Sequence, residues 1–398
     1  MGASLHLNAQ NDWFAISKIN QHVSALAHDS MRGRATGSEG ETMAANYIIS
    51  QFKAFGLKPL AGDNNWKQAF DFKTESHGAE ARVGKANNVI AWLDNNAPLT
   101  IIIGAHYDHL GEGEDGHSLD PAAKGKIHNG ADDNASGVAG LIELARYFAK
   151  NAERERFNIL FVAFSGEELG LLGSDWFVQH PSIDLAKVNC MINMDMIGRL
   201  NPAKPQLTVS GSGTAAVWEN LLRSFSSAAM EIKTDSSGLG PSDHASFYKK
   251  NIPALHFFTG SHADYHKPSD DVEKINSRGI EAVLMVIAGL IEKLPDEKLT
   301  FLKTRNASQG SRASFKVSLG IMPSYANSEN GLKAEAILDG KPGAKAGMKD
   351  GDVIVRIGEH VVKDIQTYME ALGKFEKGQK TSVTVIRDTQ TLTLPIEF

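Results

Sequence analysis

The chain has 398 residues, 42% of them hydrophobic and 22% charged, with a net charge of −6 at pH 7. Length and composition are typical of a globular protein with more than one hydrophobic core. The acidic balance, and the lack of a Lys/Arg run with interleaved aromatic residues, argue against a nucleic-acid partner. No apolar run approaches the roughly 18 residues that a membrane-spanning helix requires, so we expect no membrane span.

The cysteine content bears on the cellular compartment. Cys190 is the only cysteine, so an intrachain disulfide is excluded. Many bacterial periplasmic proteins also lack disulfides, so this count does not decide between compartments. The N-terminus carries no hydrophobic signal core. We expect a periplasmic or secreted protein whose leader has been removed, with the cytoplasm as the open alternative.

Helical and strand-like patterns alternate through most of the chain. Residues 16–26 and 41–55 carry apolar side chains at helical spacing, and a Gly/Asp/Asn-rich break follows at 62–65. Short β-rich apolar runs lie at 88–93, 99–104, 158–164 and 188–194, with helical patterns at 137–150 and 168–179. This alternation predicts an α/β fold, a mainly parallel twisted sheet flanked by helices.

The pattern changes near residue 300. A last helix, predicted over 272–294, closes the α/β part, and residues 295–312 are polar and turn-rich. Short strands with Gly-punctuated turns follow. We predict an N-terminal domain over residues 1–296, a linker over 297–311 and a small, mostly-β domain over 312–398.

Residues that can bind metals cluster where the predicted strands end. His106-Tyr107-Asp108 follows one strand directly, at the edge where open α/β sheets place their ligands. A His beside an Asp is also common as a simple hydrogen-bonded pair. Asp132 and Asp133 precede the 137–150 helix, where a helix N-cap is the alternative interpretation. One aspartate would suffice for a cap, so two of them favour a further role.

Carboxylates and a histidine follow three more strands. Glu167 and Glu168 come after a buried apolar strand, Asp195 follows the next, and His266 follows the strand at 254–258. Adjacent carboxylates repel each other, and burying them without a cation is costly. Glutamates solvated at the surface are the alternative, but the apolar strand before them disfavours it. Two histidines and three carboxylates, without a thiolate, match the ligands of zinc in hydrolytic sites.

Together these motifs resemble the ordered signature of metallopeptidase family 28, the bacterial leucyl aminopeptidase type, over about residues 20–295. The resemblance rests on His106-Tyr107-Asp108, the segment at 130–137, Gly166-Glu167-Glu168, Asn193-Met194-Asp195 and Tyr265-His266. It implies a zinc-peptidase fold of the phosphorylase/hydrolase-like kind and two zinc ions per chain. His106 and Asp195 would hold one zinc ion, and Glu168 and His266 the other. Asp132 would bridge the two ions.

The resemblance also implies roles beyond metal binding. Glu167 would be the general base, and Asp108 would orient the first histidine ligand and raise its basicity. Tyr265 would stabilise the oxyanion. A cis peptide bond would join Asp132 to Asp133.

The implied activity is that of an aminopeptidase acting on peptides with a free N-terminus. Two zinc ions would share a water and lower its pKa, and Glu167 would take its proton as it attacks the scissile carbonyl. The sequence does not identify the pocket for the substrate amine. Arg199 is unassigned. The other histidines near the motifs are interpreted as structural or rim residues: His109, His117, His128, His244, His256 and His262.

The C-terminal part resembles a bacterial PDZ domain. The resemblance rests on the segments at 318–321, 341–348 and 349–354, with a helix predicted near 365–372. It implies that Leu319, Gly320 and Ile321 offer backbone amides to a peptide C-terminus, which adds to the sheet as a further strand. A rigid domain that shapes the entrance to the active site is the equally weighted alternative.

Three other functions stay open at this level. A carboxypeptidase of the same clan would need a cationic pocket for the substrate carboxylate, and a glutaminyl-cyclase-like enzyme would use one zinc ion to cyclise an N-terminal residue. A non-catalytic, receptor-like binding protein would have lost ligands or the base, and here none is missing. The ligand residues do not separate the enzymatic alternatives.

Overall fold

The computed structural model describes residues 13–60, 65–73, 82–113, 115, 117–120, 122–123, 125–151, 154–304, 317–323, 331–337, 340–363, 365–388 and 390–398. Two parts are treated separately: the N-terminal unit, residues 13–304, and the C-terminal unit, residues 317–398. Each has its own hydrophobic core. Among the described residues, no helix combines the length and the apolar character needed to cross a lipid bilayer.

The N-terminal unit alternates helices and strands in the predicted order. Its helices are α1 (Ile16–Leu26), α2 (Glu39–Phe55), α3 (Gly137–Lys150), α4 (Leu172–Gln179), α5 (Trp218–Phe225), α6 (His244–Tyr248) and α7 (Ser277–Glu292). Its strands are β1 (Lys58–Pro59), β2 (Lys67–Lys73), β3 (Val83–Leu93), β4 (Thr100–His106), β5 (Asn158–Phe164), β6 (Val188–Met194), β7 (Gln206–Ser210), β8 (Glu231–Asp235) and β9 (Ala254–Phe258). The predicted helix at 272–294 is a short 3₁₀ turn, Val272–Lys274, followed by α7.

The strands form one mixed sheet with a parallel centre. Their order is β1-β3-β5-β4-β6-β9-β7-β8, with β2 paired to β3. The neighbouring strands β5, β4, β6 and β9 run parallel, whereas β3 and β7 pair antiparallel with β5 and β9. The α/β fold class predicted from the sequence is confirmed. Because the central strands are parallel, their carboxyl ends meet at one edge of the sheet.

Both faces of the central strands are buried. Along β4, Ile101 and Ile103 belong to the larger core under α1, α3 and α7, while Ile102 belongs to the core on the opposite face. Every residue of β4, β5 and β6 is buried. Because both faces of these strands are covered, successive residues are apolar and form a continuous run. Such runs are easy to recognise in a sequence.

The start of the predicted linker packs on the N-terminal unit. The Leu299 amide donates to Asn189 Oδ1 at 2.7 Å, and the Thr304 amide donates to the Tyr248 hydroxyl at 3.1 Å. Residues 305–311 of the predicted linker lie outside the described residues. The boundaries drawn from the sequence stay a prediction.

The C-terminal unit is mostly antiparallel sheet. It contains β10 (Ile321–Pro323), β11 (Leu332–Ile337), α8 (Pro342–Lys345), β12 (Val353–Ile357), β13 (His360–Val361), α9 (Ile365–Leu372), β14 (Lys380–Arg387) and β15 (Gln390–Glu397). The strand order is β10-β11-β12-β14-β15, so within the described residues β10 is an edge strand. The fully buried Asp352 carboxylate is paired with Arg387, whose Nε donates to Oδ1 at 2.7 Å and Nη2 to Oδ2 at 2.8 Å.

Candidate metal centre

The carboxyl edge of the parallel strands collects the polar residues singled out in the sequence. His106 is the last residue of β4, Asp195 directly follows β6, and Glu167 comes three residues after β5. Asp133 reaches the same edge from the irregular turn Ala131–Ser136 that precedes α3. His266 comes from the loop after β9. Residues far apart in sequence therefore converge because their strands are parallel neighbours.

One half of the centre surrounds His106. Its Nε2 lies 3.3 Å from Asp195 Oδ1 and 3.3 Å from Asp133 Oδ1. Glu167 Oε2 is farther away, at 3.9 Å. The His106 side chain is 1% exposed, so its ring is almost completely shielded from water.

The other half surrounds His266. Its Nε2 lies 3.1 Å from Glu168 Oε2 and 3.2 Å from Asp133 Oδ2. Asp133 therefore directs one carboxylate oxygen to each histidine and lies between the two halves. Its backbone is fixed by Asp270, whose Oδ2 accepts the amides of Asp132 at 2.9 Å and Asp133 at 3.1 Å.

Asp132 does not occupy the bridging position predicted for it. Its Oδ1 accepts the Gly198 amide at 2.6 Å and the Ser136 hydroxyl at 3.0 Å, and its Oδ2 lies 3.0 Å from His262 Nε2. These contacts turn its carboxylate away from His106 and His266. The shared carboxylate belongs to Asp133, and the cis peptide bond joins Asp133 to Asn134 instead of Asp132 to Asp133. Both predictions were wrong by one residue.

Asp108 lies beside His106, but its contacts differ from the expected ones. His106 Nδ1 is 3.2 Å from the Asp108 backbone carbonyl and 3.7 Å from its Oδ1. The carboxylate instead accepts the Glu167 amide at 3.2 Å and the Thr36 hydroxyl at 2.9 Å. The carbonyl of Asp108 thus faces the His106 ring, and its carboxylate holds the backbone of Glu167.

A cleft opens onto this centre. It is lined by His106, Asp133, Glu167, Glu168, Asp195, Met196, Pro241, His256, Phe258, Ser261, Tyr265 and His266. The Tyr265 ring stacks on that of His266, with centroids 3.9 Å apart. Several apolar side chains share the lining with the polar cluster, so the cleft can receive a group that is apolar in part.

The two neighbouring glutamates have opposite proton affinities. Burial raises the pKa of Glu167 well above its ordinary value, and the charges of Asp195, Asp243 and Glu168 add to this effect. Burial also acts on Glu168, but the His266 charge and the hydrogen bonds from His109 and His266 together outweigh it and lower the pKa of Glu168 to about 2. Glu167 is therefore suited to carry a proton, whereas Glu168 stays ionised.

The polar cluster has the chemistry and spacing of a metal site. His106, Asp133 and Asp195 offer one convergent group of ligand atoms, and His109, Asp133 and Glu168 offer another. The His106 and His266 contacts to the carboxylates, 3.1 to 3.3 Å, match the edges of about 3.3 Å that zinc with bonds of roughly 2.0–2.1 Å would require. Imidazole nitrogen and carboxylate oxygen are also donors that zinc prefers.

Sequence reasoning missed several residues that shape the centre. The buried Arg34 guanidinium donates to the carbonyls of Tyr107 and Gly130, at 2.9 and 3.0 Å, and thereby ties the His106 and Asp133 segments together. Burial lowers its pKa to about 10, although the nearby carboxylates oppose this. Asp270 was also missed. Its contact with the Asp133 amide spans 137 residues of sequence, and no local pattern reveals such a contact. His109 carried a signal, its place beside His106-Tyr107-Asp108.

Comparison with known proteins places this chain in a family. Residues 88–291 match the model of peptidase family M28, and residues 317–398 match that of the PDZ domain. The first match covers about half of the chain and holds most of the metal centre. The chain belongs to peptidase family M28.

Individual relatives agree with this assignment. Aminopeptidase YwaD of Bacillus subtilis is 34% identical over 215 residues, which cover 50% of this chain and 42% of that protein. The alignment thus spans less than half of that relative's length. Among solved structures, Legionella pneumophila LapA covers 71% of this chain and 74% of its own, at 22% identity and a TM-score of 0.55. A Bacteroides thetaiotaomicron glutaminyl cyclase covers 71% and 99%, at 18% identity and a TM-score of 0.57. These structures share the fold.

Proposed function

We propose that the protein is a di-zinc aminopeptidase that removes N-terminal residues from peptides. The proposal rests on the position of the Asp133 carboxylate, which directs one oxygen to His106 at 3.3 Å and the other to His266 at 3.2 Å. Each histidine also has a second carboxylate, Asp195 or Glu168. Two groups of ligands that share one carboxylate are typical of dinuclear hydrolytic sites.

Five residues of the chain would serve as the zinc ligands. His106 and Asp195 would hold one zinc ion, His266 and Glu168 the other, and Asp133 would contact both. Bound zinc would supply Lewis-acid chemistry at the scissile carbonyl and activate a water.

Glu167 would move the proton. Its raised pKa lets it accept a proton from the attacking water near neutral pH and pass that proton to the leaving amine. The Asp108 carboxylate, which accepts the Glu167 amide, would hold this base in place. Tyr265, which lines the cleft, would donate a hydrogen bond to the developing oxyanion.

A substrate panel combined with metal analysis tests the proposal. We expect two zinc ions per chain and hydrolysis of an aminoacyl anilide, with at least a hundredfold slower cleavage of its N-acetylated form. The likeness to a glutaminyl cyclase structure makes N-terminal glutaminyl peptides the necessary third substrate. Release of ammonia from them, without release of the N-terminal residue and with one metal per chain, would support a cyclase instead.

The C-terminal unit would dock peptide C-termini. Within the described residues, β10 begins at Ile321 and pairs on one side only, so its other side could receive an added strand, as in other peptide-docking domains. The Gly320 backbone has a positive φ of 69°, where a side chain would collide with Lys341. Its amide donates to the Ser318 hydroxyl at 2.9 Å, a contact that a bound carboxylate would replace. Leu319 is fully buried and fixes this loop to the core.

We also propose that the protein works in the periplasm or outside the cell. A peptidase of this kind would meet peptides there. Reporter fusions to the complete gene product, assayed in cell fractions, would test this location.

A further inference from the structure

His109 lies next to the second half of the metal centre but was interpreted as structural from the sequence. Its Nδ1 is 2.8 Å from Glu168 Oε1, and its side chain is fully buried. The same nitrogen is 3.8 Å from Asp133 Oδ2. His109 therefore contacts the Glu168 oxygen that does not face His266.

The direction of the hydrogen bond follows from the partner of His109. A carboxylate that binds zinc is ionised and can only accept a hydrogen bond, and Glu168 Oε1 lies 2.8 Å from His109 Nδ1. Nδ1 must then carry the proton and donate it. The other ring nitrogen, Nε2, is buried without a hydrogen-bond partner among the described residues. Nδ1 is thus the polar atom through which the ring acts.

The ring is fixed in this position. The His109 amide donates to the Arg34 carbonyl at 3.1 Å, and its segment pairs with that of Ala35. On the ring's other side lies Gly130, where an added methyl group would collide with Cδ2 and Cγ of His109. The backbone hydrogen bond of His109 and the close approach of Gly130 leave the ring, and therefore its Nδ1, little conformational freedom.

The two oxygens of Glu168 are therefore engaged by two different histidines. Oε2 lies 3.1 Å from His266 Nε2, a separation that suits two ligands of one zinc ion, whereas Oε1 is taken by His109. In the described part of the chain, the hydrogen bond from His109 is what keeps Oε1 from turning toward the ion. A hydrogen bond to the outer oxygen is the usual way in which a ligating carboxylate is oriented.

We propose that His109 is a positioning residue that holds Glu168 by Oε1, so that Glu168 binds the second zinc ion through Oε2 alone. The inference rests on the proposed di-zinc function. It predicts that His109 controls the affinity of one zinc ion and leaves the other nearly unchanged, since His106 and Asp195 do not contact it in the described structure.

Zinc titration in competition with a chromophoric chelator tests the proposal on the full chain. We expect His109→Ala to weaken one of the two zinc sites by about 10–100-fold, the usual effect of losing such an outer contact. His109→Asn should restore the affinity to within about threefold, because its side-chain NH₂ can take the place of Nδ1–H. If His109 were itself a zinc ligand, Asn would fail as Ala does, which would overturn the proposal.

A matched control separates this role from general stability. His22 is also buried and lies 3.2 Å from a carboxylate oxygen of Glu143, which is not one of the proposed zinc ligands. His22→Ala should lower the thermal midpoint but keep both zinc affinities. A comparable loss of zinc in His22→Ala would show that destabilisation alone accounts for the result, and unchanged affinity in His109→Ala would refute the proposal.

The wild-type protein provides the separate check of the proposed function. Fewer than two zinc ions in the wild type would refute the di-zinc function. The ratio of the His109→Ala and His109→Asn affinities would still decide whether His109 acts through Glu168 at a remaining site. A wild type that binds no zinc would refute both.

Discussion

The two units of this protein handle buried charge in different ways. In the described part of the C-terminal unit, Asp352 is the buried charged residue, and it is neutralised inside the chain by Arg387 and the Lys349 amide. In the N-terminal unit the carboxylates of Asp133, Glu168 and Asp195 converge on two histidines. Imidazole rings can neutralise these carboxylates only when they carry a second proton.

In the C-terminal unit the chain itself neutralises the buried charge, whereas in the N-terminal unit the proposed function assigns this role to bound metal ions. Buried charges are costly unless they are paired, and the Asp352–Arg387 pair satisfies that condition with chain atoms alone. In the cluster at the sheet edge, the zinc ions of the proposed function would neutralise the carboxylates. Changes in the cluster should therefore act on metal and activity, whereas changes in the C-terminal unit should act on its own stability.

The largest effect is expected at the shared carboxylate. Asp133→Asn should weaken both zinc sites by more than about a hundredfold and lower turnover by about a thousandfold, because one oxygen serves each half of the centre. Metal content after dialysis and anilide hydrolysis measure the two effects.

The neighbouring Asp132→Asn is the control. It keeps a carbonyl oxygen for the Gly198 amide, and we expect it to retain two zinc ions. The opposite pattern, with zinc lost from Asp132→Asn alone, would restore the original sequence prediction.

A large effect on turnover without loss of metal is expected at the base. Glu167→Gln should lower turnover by about 10²–10⁴-fold, the range for removal of a general acid–base group. Its zinc content should stay at two per chain, because Glu167 lies farther from His106 than the other carboxylates do. Glu168→Gln, which should lose zinc, is the comparison. Zinc loss from Glu167→Gln would mean that the roles of the two glutamates are reversed.

Two buried acids, Glu41 in the N-terminal unit and Asp352 in the C-terminal unit, should affect stability at opposite ends of the pH range. Burial raises the pKa of Glu41 to about 8 from an ordinary 4.5, with the Asp108 charge adding to the effect. The folded state thus holds this proton more tightly than the unfolded state does. The associated stability of the N-terminal unit is present below about pH 4.5 and is lost as pH rises through about 8.

For Asp352, burial alone would raise the pKa, but hydrogen bonds from Arg387 lower it below its ordinary 3.8. The stability it gives the C-terminal unit is present above pH 3.8 and is lost as pH falls through the lowered pKa. Calorimetry of Glu41→Gln and Asp352→Asn across this pH range checks both signs. Glu41→Gln should reduce only the loss of stability at alkaline pH. If that loss persists in the variant, other groups cause it.

The smallest effect is expected from removal of the C-terminal unit. Deletion of residues from 312 onward should change turnover of a small aminoacyl anilide by less than about twofold, since none of the proposed ligands lies beyond His266. If this unit docks peptides, the deletion should raise the Michaelis constant for long peptides with free C-termini.

C-terminal amidation of those peptides should reproduce the effect in the full chain. Circular dichroism confirms that the truncated protein is folded. Equal losses on short and long substrates would indicate that the C-terminal unit supports the active-site wall instead.

The sequence by itself determined the layout of this protein. The apolar runs of β4, β5 and β6 showed the central strands because both faces of each are covered. The polar residues at their ends indicated a metal centre because parallel strands bring their carboxyl ends together. The class and position of the site thus follow from local patterns that a single sequence contains.

Only the tertiary structure decided which atoms face the centre. Asp132 and Asp133 are equivalent in sequence, and the contacts of Asp132 with Gly198 and His262 decide that Asp133 points inward. The role proposed for His109 depends on the Glu168 oxygen that lies 2.8 Å from its Nδ1. The direction of a side chain depends on backbone dihedrals and distant partners, which no local pattern encodes.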